Sequence, residues 1–302
     1  MNTAPPHNDT QKAWLLLALA IFFWGVNWPI MKLGLGYIGP LWFAALRVMV
    51  ACIVLFVGLG ISGKLSLPQR EEIPVMFSIG VVQIGIFMAI IHYALLYVEA
   101  GRSAVLAYTT PIWVTPLAVW FLGEKINRQK ILGILIGIGG VAVLFNPLTF
   151  PWGLNEYTAG NAMLIAAAIM WAGAMVHVRG YGWTRPHLSL LPWQFLLGSI
   201  ILVITAFTVE GVPNIPSSPD FIVIMTFNGI VATAFSFWAI IAATRVLPAA
   251  ATAIGTLGVP VVGVVSSAII IGEKPTPTMI AGAGLIVFGI AVFTFVRKHQ
   301  RL

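Results

Sequence analysis

The sequence predicts an all-α membrane protein of ten transmembrane helices, arranged as two inverted five-helix repeats with both termini in the cytoplasm. Three observations lead to this prediction: the hydrophobicity of the chain, the placement of its basic residues and an internal repeat. The 302 residues are 59% hydrophobic and only 8% charged, whereas soluble domains carry about 25% charged residues. We therefore expect most of the exterior to face a lipid bilayer.

Ten apolar runs, bounded by charges, Pro and Gly, have about the length of a membrane span. A helix needs about 20 residues to cross the hydrocarbon core, and in lipid each segment has to satisfy its own backbone polar groups. The runs are 13–31, 40–60, 73–97, 103–122, 129–146, 159–178, 188–209, 220–243, 249–271 and 277–296.

Basic residues separate between alternate connectors. With the N-terminus in the cytoplasm, twelve of the sixteen Lys and Arg residues fall in inner connectors and tails, and three fall in outer ones. This bias fixes orientation in membrane proteins, so it predicts an even number of spans. The net charge of +7 is scattered singly, which argues against nucleic acid as a partner.

The two halves of the chain repeat each other. A shift of 149 residues aligns Pro111 with Pro260 and the tripeptide 123–125 with 272–274, both Gly-Glu-Lys. Because each half holds an odd number of helices, the second half enters the membrane from the opposite side. Inverted repeats usually place a substrate site where the halves meet, so this arrangement predicts a transporter.

Prolines inside the predicted fourth and ninth helices suggest kinks. Proline removes an amide donor and clashes with the carbonyl four residues back. That carbonyl belongs to Ala107 for Pro111, and to Thr256 for Pro260; Pro116 adds a second proline to the fourth helix. Two interpretations remain open: kinks whose backbone groups are satisfied by neighbouring helices, or gating hinges that leave carbonyls facing a cavity.

Arg47 is the one charged residue deep in a predicted span. A charge there costs at least about 2.5–3.5 kcal/mol on insertion scales, so it needs carbonyls, water or a ligand. Either Arg47 ties backbone carbonyls of adjacent helices, or it attracts a substrate carboxylate. A shift of 147 residues aligns Arg47 with Gln194, a neutral residue, so the two sides of a site would differ.

Aromatic and polar residues mark several helices as candidate cavity walls. Trp24, Asn27 and Trp28 have i, i+3, i+4 spacing and share one helix face. Mid-span indoles need a partner for their N–H, which leaves both cavity lining and helix packing open. His92 either carries protons or is hydrogen-bonded between helices. The predicted substrate-binding residues are Trp24, Asn27, Arg47, His92, Tyr93, Tyr108, Trp113, Trp171, Gln194 and Trp238.

The fifth and tenth helices carry small residues seven positions apart, Gly133 with Gly140 and Gly282 with Gly289. Such faces allow helices to approach closely. They can pack within one chain or against a second copy, so the sequence leaves both a monomer and a homodimer open.

Enzyme signatures are missing from the sequence. It has no HExxH, no Gly-x-Ser-x-Gly and no phosphate-binding glycine loop, and its nine acidic residues lie in tails or connectors. We therefore predict no enzyme, no cofactor and no metal site. The expected partners are a small-molecule substrate and the lipid bilayer.

These features together resemble the drug/metabolite transporter superfamily, specifically its EamA-type ten-helix members. The likeness rests on Phe23-Trp24-Gly25, Asn27, Arg47, Pro111, Gly123-Glu124-Lys125, Pro260 and Gly272-Glu273-Lys274. It covers residues 13–297, with one five-helix repeat at 13–146 and the other at 159–297. The resemblance implies export of amino acids, related metabolites or drugs through a central cavity in a bacterial inner membrane.

The leading hypothesis is an exporter of small metabolites, amino acids foremost and aromatic or other neutral ones among them, working by alternating access. Efflux of drugs or toxic metabolites is the second transport hypothesis. A non-transporting receptor or assembly subunit is the third, and it ranks lower because the connectors are too short to supply a partner-binding domain.

Overall fold

The computed structural model describes residues 7–124, 128–145, 153, 155–181, 187–247, 252 and 255–295. In these residues the chain is helical and contains no β-strand. The helices are α1 (His7–Gly34), α2 (Pro40–Ile61), α3 (Arg70–Ala94), α4 (Ala100–Leu122), α5 (Arg128–Phe145), α6 (Glu156–Gly180), α7 (Leu191–Glu210), α8 (Pro219–Thr244), α9 (Gly258–Ile270) and α10 (Pro277–Phe295).

Seven of the described helices are long and apolar enough to cross a membrane, namely α1–α4 and α6–α8. The apolar parts of the other three are shorter, over Ile131–Leu144, Gly258–Ile270 and Pro277–Val292. The all-helical membrane class is therefore confirmed, whereas the count of ten spans is not. The predicted repeat boundaries at 146 and 297 lie outside the described residues.

The Gly-Glu-Lys tripeptides form the same type of helix end in both halves. Gly123 and Gly272 have φ of 63° and 69°, a left-handed conformation that glycine adopts at no steric cost. The amide of Glu124 then donates to the carbonyl of Ala118, and that of Glu273 donates to Ser267. Each bond joins residues six positions apart, one more than in the Schellman ending of a helix. Lys125 lies outside the described residues.

Two helices contain wide π-helical turns in their middle, over Phe77–Ile86 in α3 and Phe227–Phe235 in α8. In α8, Thr233 Oγ1 donates to the carbonyl of Asn228 at 2.6 Å, and Ser236 Oγ donates to Val231 at 2.9 Å. These side chains satisfy carbonyls within the widened turn. Such π segments are frequent at functional sites. The segment in α8 packs against α2.

Helices α5 and α10 pack through their glycines within the chain. A Cβ atom on Gly282 would lie 2.7 Å from Leu144 Cβ and 2.8 Å from the carbonyl oxygen of Gly140. A Cβ atom on Gly289 would lie 2.7 Å from the carbonyl oxygen of Gly133. These small faces therefore contact each other inside one chain.

Replacing Gly282 by Ala is expected to destabilise the protein, because the added methyl group would overlap backbone atoms of α5. Overpacking of this kind typically costs about 1–3 kcal/mol. Gly284→Ala is the matched control, since Gly284 lies on the same helix and has open space where its Cβ would be. Thermal unfolding in detergent measures both, and equal melting temperatures for the two variants would contradict this packing.

Candidate functional site

A cavity of about 540 Å³ lies between the helices of the two halves. Its volume suits a small metabolite, since ligand pockets usually measure about 300–1,000 Å³. It is lined by Trp24, Asn27, Trp28, Met31, Arg47, Phe87, Met88, Ile91, Ala107, Tyr108, Thr110, Pro111, Val114, Thr115, Ala118, Glu124, Trp171, Met175, Arg179, Phe237, Ile240, Thr244, Thr252, Thr256 and Ile290.

The Arg47 guanidinium is part of the cavity wall and is 3% exposed. Its Nε donates to Thr233 Oγ1 on α8 at 3.0 Å. Its Nη1 contacts Met31 Sδ on α1 and lies 3.4 Å from His92 Nε2 on α3. In the described residues Arg47 has no carboxylate partner, because the one ion pair there joins Arg179 and Glu124. Neutral acceptors from three helices therefore hold the charge.

Asn27 completes the set of acceptors. In the amide orientation that satisfies both ends, its nitrogen donates to Asn228 Oδ1 at 2.7 Å, and its oxygen accepts from both terminal nitrogens of Arg47 at 3.3 Å. Asn228 is itself fixed, since its Nδ2 donates to the carbonyl of Ile224 at 3.0 Å. The π segment of α8 thus supplies both Thr233 and Asn228 to the network around Arg47.

His92 is next to Arg47 but does not line the cavity, and it is fully buried. Its Nδ1 lies 2.6 Å from the carbonyl oxygen of Met88. A carbonyl only accepts, so the proton is on Nδ1 and the lone pair on Nε2 faces Arg47. His92 is therefore placed as a hydrogen-bond acceptor between helices, which is the second of its two sequence interpretations.

The rest of the cavity wall is mostly aromatic and apolar. The rings of Phe87 and Trp171 approach to 4.5 Å between centroids, and those of Trp24 and Phe237 to 5.6 Å. Rings at these separations attract each other through offset or edge contacts. They form a firm surface onto which a flat or branched apolar group can pack.

One end of the cavity reaches the surface at an ion pair. Arg179 at the end of α6 lies 2.9 Å from Glu124, which follows α4, and the two side chains are 52% and 26% exposed. Both residues line the cavity. A pair as exposed as this one contributes little to stability, so it can separate easily.

At the opposite end of α4, two charged side chains bind the ends of neighbouring helices. Glu273, from the connector before α10, accepts hydrogen bonds from the amides of Ala100 at 2.6 Å and Gly101 at 2.9 Å, which begin α4. Lys32 at the end of α1 donates to the carbonyls of Leu95 and Val98. A carboxylate at a helix N-terminus and an ammonium after a helix C-terminus both complement the helix dipoles. We call Lys32, Glu273 and the segment 95–101 the outer clamp.

Seven of the residues predicted from the sequence meet at the cavity. They are Trp24, Asn27, Arg47, Tyr108, Pro111, Trp171 and Thr256.

The other predicted residues lie elsewhere. Trp113 donates its indole N–H to Thr109 Oγ1 one turn back, at 3.2 Å. Trp238 is 37% exposed on the outside of α8. Tyr93 packs against Tyr97 with ring centroids 6.0 Å apart. Gln194 is buried in α7, next to the glycine at position 80 of α3. His92, Pro116 and Pro260 do not line the cavity either.

The carbonyls opposite the two prolines have local partners. Thr110 Oγ1 donates to the carbonyl of Ala107 at 3.0 Å, and the amide of Val259 donates to the carbonyl of Thr256 at 3.1 Å. Groups of the same helix therefore bind both carbonyls, which argues against the interpretation in which the prolines leave them free to face the cavity. Similarly, Arg47 is held by side chains and not by the backbone carbonyls considered from the sequence.

Sequence reasoning missed the apolar wall residues Phe87, Met88 and Phe237. An apolar residue in a helix that is apolar all round carries no signal of the face it occupies. It also missed Thr233, because a threonine that contacts a distant arginine is indistinguishable in sequence from one that bonds its own helix.

Replacing Thr233 by Val is expected to destabilise the protein, because the Nε of Arg47 loses its acceptor while remaining buried. Leaving a charged donor unsatisfied costs about 1–3 kcal/mol. Thr208→Val is the control: Thr208 is exposed and its hydroxyl bonds only its own helix, at the carbonyls of Ile204 and Thr205. The melting temperatures in detergent should differ clearly; similar values would contradict the network.

Known proteins resemble this chain over most of its length. The model of the EamA-like transporter family matches residues 11–146 and 158–295. An uncharacterized transporter of Bacillus subtilis, YoaV, is 27% identical over 96% of this chain and 99% of its own. A probable amino-acid metabolite efflux pump of Salmonella typhimurium is 25% identical over 97% of this chain and 99% of its own.

Another curated relative and a solved structure also match most of the chain. A probable terminal-alkyne amino-acid exporter of Streptantibioticus cattleyicolor is 24% identical over 93% of this chain and 92% of its own. One protein of known crystal structure shares the fold with a TM-score of 0.66, at 20% identity, over 93% of this chain and 97% of its own. Since the family model covers both halves, the chain belongs to the EamA-like transporter family.

Proposed function

We propose that this protein exports small carboxylate-bearing metabolites, with amino acids first among them. The observation that carries the proposal is the Arg47 guanidinium in the wall of an otherwise apolar cavity, held without a carboxylate partner in the described residues. A buried guanidinium binds a carboxylate through two parallel hydrogen bonds, so a substrate would supply the missing anion. The names of the Salmonella and Streptantibioticus relatives are consistent with such a substrate.

The membrane arrangement belongs to the same proposal. We infer ten spans in two inverted repeats of five, with both termini in the cytoplasm of a bacterial inner membrane. Support comes from the basic-residue bias, from the two left-handed glycines 149 positions apart, and from the π segments that begin 150 positions apart in α3 and α8. In this orientation Glu124 and Arg179 face the cytoplasm, and the outer clamp faces the opposite side.

We infer export by alternating access from that geometry. The cavity reaches the surface on the inner side, past Glu124 and Arg179, while the outer clamp closes the other side. A substrate would enter from the cytoplasm and bind at Arg47, and it would leave once the clamp releases α4. In inverted-repeat transporters such movements are largely rigid rocking of one half against the other.

Efflux of apolar drugs or toxic metabolites is the second candidate function. It is favoured by the aromatic wall formed by Phe87, Trp171, Trp24 and Phe237, which would accept many apolar bodies. Resistance on overexpression, unaffected by the loss of Arg47, would distinguish this function from carboxylate export.

Arg47→Gln is expected to abolish most transport of carboxylate substrates, because glutamine offers neither the charge nor the paired donors. Losing a hydrogen bond to a charged group costs about 1.5–3 kcal/mol, or roughly 10- to 150-fold. Proteoliposomes loaded with labelled neutral and aromatic amino acids and acids, with and without a pH gradient, provide the flux. Arg70→Gln, at an exposed arginine, is the control. Absence of flux for the whole panel in the wild type would contradict the proposal.

Trp171→Ala is expected to lower the flux by at least about tenfold, because it removes a large part of the aromatic wall. Trp238→Ala serves as the matched control, since this tryptophan is equally large but partly exposed away from the cavity. If both variants transport at the wild-type rate, the cavity is not the pathway. Thermal unfolding of each variant separates lost flux from lost folding.

Glu273→Gln is expected to open the outer side more often, because the amide replaces one of the two accepting oxygens by a donor. Losing about 1 kcal/mol of hydrogen bonding raises the open population about fivefold. The measurement is the rate at which a membrane-impermeant thiol reagent, added outside cells, labels Ile91→Cys in a Cys52→Ala background. Asp220→Asn, at an exposed residue of the same end, is the control. Equal labelling rates in all three proteins would contradict the clamp.

A further inference from the structure

We infer that the cavity selects apolar acids without a charged amine, and binds them more tightly than the corresponding zwitterionic amino acids. This inference rests on the proposed function and narrows its substrate class: among amino-acid metabolites, the site favours acids whose nitrogen is absent or acylated over the amino acids themselves.

All nine acidic side chains of the chain belong to described residues, so their positions are known. They are Asp9, Glu71, Glu72, Glu99, Glu124, Glu156, Glu210, Asp220 and Glu273. Of these nine, Glu124 alone lines the cavity, and it is already paired with Arg179 at the mouth.

Glu124 lies too far from Arg47 to serve the amine of an α-amino acid. Arg47 lies seven residues into α2 from its outer end, whereas Glu124 follows the inner end of α4. At 1.5 Å per residue this separates the two residues by roughly 20 Å along the membrane normal. The ammonium and the carboxylate of an α-amino acid are bonded to the same carbon atom, so a carboxylate held at Arg47 leaves its ammonium beyond the reach of Glu124.

The polar groups close to Arg47 cannot replace that missing anion. Asn27 Oδ1, Thr233 Oγ1 and His92 Nε2 all accept from, or face, the guanidinium. An ammonium bound there would compete with Arg47 for the same lone pairs. It would also lie beside a like charge, which is unfavourable in a site screened from water.

The remaining walls near Arg47 consist of aromatic and apolar side chains, including Phe87, Trp171 and Met88. An aromatic face attracts a cation, but this attraction is smaller than the cost of removing an ammonium from water without a counter-ion. The same walls favour an uncharged apolar body. Arg47 and the walls together therefore fit a carboxylate joined to an apolar group, with nitrogen absent or acylated.

Four compounds with the same phenyl group test the inference: 3-phenylpropionate, N-acetyl-L-phenylalanine, L-phenylalanine and phenethylamine. Isothermal titration of the purified wild-type protein in detergent measures their dissociation constants. We expect the first two to bind at least about tenfold more tightly than L-phenylalanine, and phenethylamine to bind most weakly. Arg47→Gln should weaken the two acids at least about tenfold without weakening phenethylamine, and its melting curve reports whether the variant folds.

The ranking of the four dissociation constants in the wild-type protein tests the inference even if the Arg47→Gln variant does not fold. L-Phenylalanine binding as tightly as 3-phenylpropionate, or more tightly, would overturn the inference while leaving an amino-acid exporter intact. Phenethylamine binding as tightly as the acids would also overturn it. Failure of all three carboxylates to bind, together with failure of all three to cross proteoliposomes, would instead defeat the proposed function itself.

Discussion

The burial of one guanidinium without a carboxylate partner is the constraint on which the centre of this molecule depends. Arg47 is 3% exposed, and neutral groups on α1, α3 and α8 contact its guanidinium. A buried charge has to be surrounded by well-placed acceptors, so these three helices are held in one arrangement around α2. The π segment of α8 contributes to this arrangement, because it places both Asn228 and Thr233 in the hydrogen-bond network around Arg47.

The two Gly-Glu-Lys segments have the same local structure, but their glutamates make different contacts. Each begins with a left-handed glycine, which ends a helix and turns the following glutamate away from its axis. Glu124 then meets an exposed arginine at the cavity mouth, whereas Glu273 binds two backbone amides at the start of α4. The second arrangement is the stronger one, because charge-assisted bonds to half-buried amides are less screened than a surface ion pair.

Some features of the fold and of the site could be predicted from the sequence, and others could not. Hydrophobic length predicted the helices, and Arg47 was identified because a charge within an apolar run is conspicuous. The side of a helix on which a tryptophan lies was not predictable: Trp171 lines the cavity while Trp238 is partly exposed, and both occur in helices that are apolar all round. The sequence placed Glu273 in a connector and gave it no role. Its contact with α4 was not predictable, because the partner, Gly101, is 172 residues away in the chain. The ten-span arrangement stays a proposal because three helices are short.

The most direct test of the central claim is a distance between substrate and guanidinium. Solid-state NMR dipolar recoupling can measure it between a ¹³C-labelled carboxyl carbon of bound 3-phenylpropionate and ¹⁵N-labelled arginine side chains in the reconstituted protein. We expect a carbon–nitrogen distance of about 4 Å, as in a paired carboxylate–guanidinium contact, and we expect the coupling to be absent in Arg47→Lys. Bound 3-phenylpropionate without coupling to any arginine nitrogen would contradict it.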